Sequence, residues 1–184
     1  MKLHRCTLPA VLLGVALAAS AAPLKTDPAK SAVSAVFRQM NVPVESAFKK
    51  FSAAIDYDAA KPELAKASVE IDTASLDVGD PDMNKEVAKK DWFNAAQYPK
   101  ATFVSSSIKP AAPGKLTVSG KLSIKGKSMD VSFPLTVRSE AGKQVFEGAL
   151  PIKRLAYNIG EGEWKDTSMV ADDVIIKFRV TAGK

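Results

Sequence analysis

Beyond residue 6 the chain has neither cysteine nor histidine; its single Cys6 and single His4 lie in the first few residues. Residues 7–184 therefore offer no cysteine nucleophile, no Ser–His relay and no His/Cys ligand set for zinc or haem iron. They also offer no disulfide, so the core alone must hold the fold together. Aromatic residues make up only 7% of the chain, and no long apolar run follows residue 22. The net charge of +6 is mild, and Lys2 and Arg5 supply two of those charges. Bases are spread along the chain rather than clustered with aromatics, so nucleic acid is not an expected partner. An anionic lipid surface or an acidic partner suits this balance better.

Basic residues Lys2, His4 and Arg5 open the chain. An apolar, small-residue run from Leu8 to Ala22 follows, containing Ala19-Ser20-Ala21. That order is the pattern of a cleavable secretory signal over residues 1–21. The run is about fifteen residues, short of the roughly twenty a membrane-spanning helix needs. Residues 22–184 are then expected as one exported domain with neither thiol nor imidazole.

Period-two alternation dominates this region. Leu116, Val118, Leu122 and Ile124 share one strand face, and Thr117, Ser119, Lys121 and Ser123 the other. Lys125-Gly126 is turn material, and Val131, Phe133, Leu135 and Val137 alternate beyond it, which predicts an antiparallel hairpin. Pro134 removes a backbone donor and marks an edge, bulge or break. Further strands are expected at 32–38, 48–57, 67–72, 102–108, 145–152 and 173–181, about eight in all. Asp80 can cap one short helix over Pro81–Lys90, with Pro81 in its first turn. The class is all-β, a sandwich or barrel with one α-helix.

Several apparent motifs carry no chemistry. Gly114 to Lys121 has one residue too many for a phosphate loop, and Leu122 stands where a hydroxyl must hold magnesium. Asp80 to Asp91 begins like a calcium loop but has Lys85 at the required glycine position. Glu161, Glu163 and Asp166 beside Trp164 could form a glycosidase pair, against the simpler reading of a solvated, glycine-rich loop. No catalytic residue, metal ligand or cofactor is assigned.

What the chain does have is apolar surface. Phe37, Phe48, Phe51, Phe103, Val118, Leu122, Phe133 and Leu135 are expected on inward faces. Trp92, Phe93, Tyr157 and Trp164 are candidates for a mouth or lid. An eight-stranded barrel either fills its interior with side chains or holds one small ligand. Alternation alone leaves both open, and Gly120 on an inward face is expected to leave room for a ligand.

Ile71-Asp72-Thr73-Ala74-Ser75-Leu76-Asp77-Val78-Gly79, Asp91-Trp92-Phe93, Gln97-Tyr98-Pro99-Lys100-Ala101-Thr102-Phe103 and the Leu116–Leu135 hairpin follow one another in order. Together with Phe48-Lys49-Lys50-Phe51-Ser52, these blocks resemble the YceI-like family over nearly all of residues 22–184. The resemblance implies an eight-stranded antiparallel lipocalin-like barrel with one short α-helix. It also implies a periplasmic location and a polyisoprenoid lipid or isoprenoid quinone bound inside. Arg154 to Trp164 looks most like members associated with membrane b-type cytochromes, which implies such a cytochrome as partner. Where many members carry a histidine and an arginine in the helix, this chain has Glu86 and Ala88, and Gln39-Met40 follows Arg38. Head-group contacts through those positions therefore do not carry over. A ligand-free accessory module is the second reading, and oligomeric state is open, a homodimer included.

Overall fold

The computed structural model describes residues 23–183; the expected signal over 1–21 lies outside them. The strands are β1 (Lys25–Thr26), β2 (Ala32–Gln39), β3 (Val42–Phe48), β4 (Phe51–Asp56), β5 (Lys66–Asp72) and β6 (Leu76–Asp77), followed by β7 (Lys100–Ala112), β8 (Lys115–Ile124), β9 (Lys127–Glu140), β10 (Lys143–Lys153) and β11 (Asp173–Gly183). Helix α1 spans Pro81–Val87. All ladders are antiparallel, in the order β4-β5-β7-β8-β9-β10-β11-β2-β3-β6, with β1 paired to β11 beside that path.

The all-β class holds, but the strand count exceeds the eight expected. Three passes of the chain are interrupted. A 3-10 turn at Pro28–Lys30 separates β1 from β2, Lys49-Lys50 separate β3 from β4, and a 3-10 turn at Thr73–Ser75 separates β5 from β6. Hydrogen bonds from Lys49 N to Ser75 O and from Asp72 N to Lys50 O carry the ladder across two of these breaks. The sheet curls until its ends meet. β3 pairs with β2, β4 pairs with β5, and only two residues separate β3 from β4. Leu24 closes the remaining seam, donating its N–H to Ile55 O at 2.7 Å, and Thr26 Oγ1 donates to Ala53 O nearby.

The expected alternation is seen where one face is dry. Leu116, Val118, Leu122 and Ile124 of β8 are all buried, while Thr117 and Lys121 are exposed. Two-residue turns with positive φ, Lys125-Gly126 and Ala141-Gly142, join β8 to β9 and β9 to β10. β9 continues through Pro134 with its ladder to β8 intact, yet its ladder to β10 ends at Leu135↔Gly148. Pro134 thus stands where β9 and β10 part company. The short 3-10 turn Arg154–Tyr157 packs against β9.

Helix α1 is shorter than expected. Asp80 caps it as anticipated, accepting from the backbone N–H groups of Asp82 and Met83. Ala88 onward folds into tight turns, with Lys89 N donating to Glu86 O and Trp92 N to Lys89 O.

Strand direction gives the barrel two distinct ends. The helix end carries α1, the turns at 88–98, the Met40-Asn41 and Lys125-Gly126 tips and the segment 154–172. The opposite end carries 57–65, 113–114 and 141–142. One contiguous hydrophobic cluster lines the interior between them.

Candidate functional site

The barrel encloses a cavity of about 300 Å³ that reaches from Met83, Val87 and Trp92 at the helix end to Ile55, Tyr57 and Lys66 at the other. Its wall is almost wholly aliphatic and aromatic; Gln39, Lys66, Glu86 and Arg154 are the exceptions. Such a wall favours a long apolar guest, because each unit that leaves water gains by burial at about 25 cal/mol per Å².

Ten of the twelve residues singled out from the sequence border this cavity: Phe37, Phe48, Trp92, Phe93, Phe103, Val118, Leu122, Phe133, Leu135 and Trp164. Two do not. Phe51 borders a separate crevice, where Pro23–Pro28 runs along β4 at the barrel seam. Tyr157 is 2% exposed and packed in the core rather than placed at a mouth, because the 154–157 turn folds inward against β9.

The expected space over Gly120 is also taken. A Cβ on Gly120 would come within 2.6 Å of the Phe103 ring, and one on Gly148 within 2.4 Å of the Phe178 ring. Phe133 stands between them, 5.5 Å from each ring. Across β7 to β11 the wall therefore alternates Phe103, Gly120, Phe133, Gly148, Phe178. Each glycine receives a neighbouring ring, a close approach that a side chain would forbid.

The helix end is shut by a cross-tied plug. Arg154 is 2% exposed and faces no carboxylate within hydrogen-bonding reach. Its guanidinium donates to five backbone carbonyls, those of Ile159, Gly160, Trp164, Val170 and Ala171. Burial holds its pKa below the ordinary arginine value, and the charge of Asp172 works the other way. The guanidinium also lies 5.7 Å from the Trp92 ring centroid, and Trp92 sits 5.2 Å from Trp164. Lys125 is the second buried cation. Its ammonium donates to Lys90 O, Asn158 O and Glu161 Oε2 at 2.7, 2.7 and 2.8 Å. Asp91 O accepts from Gly160 N and Glu161 N, completing the tie between the two loops.

Two of the three carboxylates of the Gly-rich segment are engaged within the protein. Glu161 is engaged by Lys125, whose hydrogen bond lowers its pKa. Asp166 accepts from Ser168 N in a local turn. Glu161 and Asp166 thus serve structural contacts, and Glu163 is exposed. Arg154 was not visible as a functional residue in the sequence. Its one signature is the Arg154–Gly160 spacing, which matters only once the loop is folded.

A model of the YceI-like domain matches residues 24–182. The chain belongs to the YceI-like family. Among curated YceI-like relatives, a UPF0312 protein of Pseudomonas savastanoi is 33% identical over 105 residues, covering 57% of this chain and 54% of that protein. The chain thus spans about half the length of such relatives. A UPF0312 protein of Shewanella baltica is 31% identical over 141 residues, covering 73% of this chain and 72% of that one. Among solved structures, Burkholderia cenocepacia BcnA superposes with a TM-score of 0.84 at 57% identity, covering 86% of this chain and 99% of that one. A polyisoprenoid binding domain from Saccharophagus degradans superposes at 0.68 with 20% identity, covering 88% of this chain and 97% of that one; that likeness bears on the fold.

Proposed function

We propose that this protein is a non-catalytic binding protein that sequesters or carries a polyisoprenoid-type lipid or isoprenoid quinone in its barrel. The observation that carries this reading is the cavity itself, which is apolar along its length and continuous from one end of the barrel to the other. The similarly folded Saccharophagus degradans domain is a polyisoprenoid binding domain. The basic and apolar pattern of residues 1–21 supports export to the periplasm as a single domain from residue 22. Native mass spectrometry of protein recovered from its own periplasm tests both points. The expected spectrum shows a chain beginning at residue 22 with an isoprenoid adduct that organic extraction removes. A retained leader would overturn the export reading, and an adduct-free mass that rebinds no isoprenoid would overturn the carrier reading.

A second reading, an accessory module for a membrane b-type cytochrome, draws on the exposed apolar residues at the helix end. Met40, Val42, Met83 and Met169 are all exposed there, and Met40 N donates to Met169 O. Co-purification with a cytochrome that Met40→Ser and Met169→Ser together abolish would favour it.

A further inference from the structure

The end of the barrel opposite the helix carries cations without counter-charges. Lys61, Lys66, Lys109 and Lys115 are all exposed, and among the described residues none of them has a carboxylate within ion-pair distance. Their elements are neighbours. β5 pairs with β7, β7 pairs with β8, and the 3-10 turn Pro62–Leu64 packs on β7. Elsewhere on the same rim the charges cancel: Lys143 pairs with Asp27 at 2.7 Å, and Arg138 and Arg179 hold Glu140. The segment between β4 and β5 has acids of its own, Asp58 and Glu63, and Asp58 is engaged by the Ala60 N–H. Like charges gathered without partners raise a positive potential over this face.

Between Lys61 and Lys66 stands Leu64, 66% exposed, more than any other large hydrophobic residue among those described. Its turn is tied to itself. Ala60 N donates to Asp58 Oδ1, Lys61 N to Asp58 O, Leu64 N to Lys61 O and Ala65 N to Pro62 O. Tyr57, Ala65 and Lys66, which flank the turn, line the cavity, so the apolar interior comes to the surface here. A leucine tip among cations matches an apolar layer lying beneath negative head groups. The helix end does not match. Met40, Val42, Met83 and Met169 are exposed there, but Asp80, Asp82, Glu163 and Asp166 share that end. Lys85 and Lys89 are already paired with carboxylates.

We propose that the protein docks on an anionic lipid surface through the end opposite the helix. Leu64 enters the interface, and Lys61, Lys66, Lys109 and Lys115 lie against the lipid head groups. A docked barrel opens toward the bilayer, so a guest passes between the two without crossing water. Docking stands apart from the carrier reading; only that passage rests on it.

The test is co-sedimentation of protein recovered from its own periplasm with two kinds of vesicle. One is phosphatidylcholine alone, the other phosphatidylcholine and phosphatidylglycerol in equal parts. Binding is expected on the anionic vesicles and should fall as salt rises. Lys61→Gln, Lys109→Gln and Lys115→Gln together should weaken it about a hundredfold, at about fivefold per cation. The charge-matched set Lys90→Gln, Lys127→Gln and Lys165→Gln, at the helix end, should weaken it by less than about fivefold. Because residues 7–184 contain no cysteine, Leu64→Cys there accepts a single environment-sensitive fluorophore. Its emission should shift to the blue on anionic vesicles, and that of a label on Met40→Cys should not. The proposal is overturned if neutral and anionic vesicles bind equally, if the two lysine sets weaken binding alike, or if the label at residue 64 stays in water on bound protein. Absence of vesicle binding also overturns it and leaves an acidic protein as the partner this face suits. An isoprenoid adduct found in that same protein keeps the carrier reading standing.

Discussion

The Arg154 guanidinium occupies the place where a side chain on residue 160 would have to begin: a Cβ there would lie 2.0 Å from its nitrogen. Gly160 also has φ +81°, a conformation that other residues adopt only at a cost. Two residues six apart thus specify each other. Gly160→Ala is expected to destabilise the fold by about 2–4 kcal/mol, combining backbone strain with displacement of a buried cation. Arg154→Met leaves five carbonyls without their donor and should cost about 3–5 kcal/mol. Urea unfolding followed by tryptophan fluorescence measures both. A shift under 1 kcal/mol for either would mean that the plug does not depend on this pair.

Gly148 and Phe178 are directly opposite in the β10–β11 ladder, and the ring fills the space a side chain would take. Gly148→Ala should cost about 1–3 kcal/mol by overpacking. Combined with Phe178→Leu, it should cost less than the sum of the two single changes, with a coupling of at least about 1 kcal/mol. Simple additivity in a double-mutant cycle would show that ring and glycine are energetically independent.

Lys125 lowers the Glu161 pKa from its ordinary value of 4.5 by donating a hydrogen bond to the carboxylate and by its charge. A carboxylate depressed on folding adds stability above 4.5 and loses it as pH falls through the lowered value. The acid limb of a stability profile should therefore be shallower in Glu161→Gln than in the unmodified protein, with the two profiles running parallel above pH 6. Parallel profiles throughout acid pH would remove Glu161 from that role.

Ala35 is buried on β2 and lines the cavity. A larger residue there takes volume from a guest without removing any existing contact. Ala35→Phe should weaken isoprenoid binding at least about tenfold, while destabilising the empty fold by less than about 2 kcal/mol. Unchanged binding, read by native mass spectrometry titration in a folded variant, would place the guest elsewhere.

The sequence pattern was legible where burial is one-sided. β8 keeps strict alternation because one face is dry, and its inward Leu116, Val118, Leu122 and Ile124 border the cavity. Phe133 and Leu135 of β9 border it too, whereas Val131 and Val137 of β9 do not. β3, apart from Phe48, lies outside the expected strands. Its entry turn, Met40-Asn41, has positive φ at both positions without a glycine to signal it, and Pro43 and Glu45 break the apolar pattern. Aromatics in loops were the least legible. Trp92 and Trp164, both mouth candidates, lie together, but Tyr157 turns into the core because the Arg154–Tyr157 turn packs on β9. Gly120 shows the same limit. Alternation places it inward but does not reveal that Phe103 of the next strand fills its space.

The interruptions of the β-ladder are not scattered around the circumference. β1–β2, β3–β4 and β5–β6 are three neighbouring passes, each split into two strands. β7 to β11 are single strands of 10 to 14 residues, whose ladders carry only register shifts in β7 and the parting of β9 from β10. One half of the wall is a stiff shell, and the other half is jointed. Amide exchange should follow that division, faster along residues 23–77 than along β7–β11. A guest wider than the resting bore has only one side on which to make room.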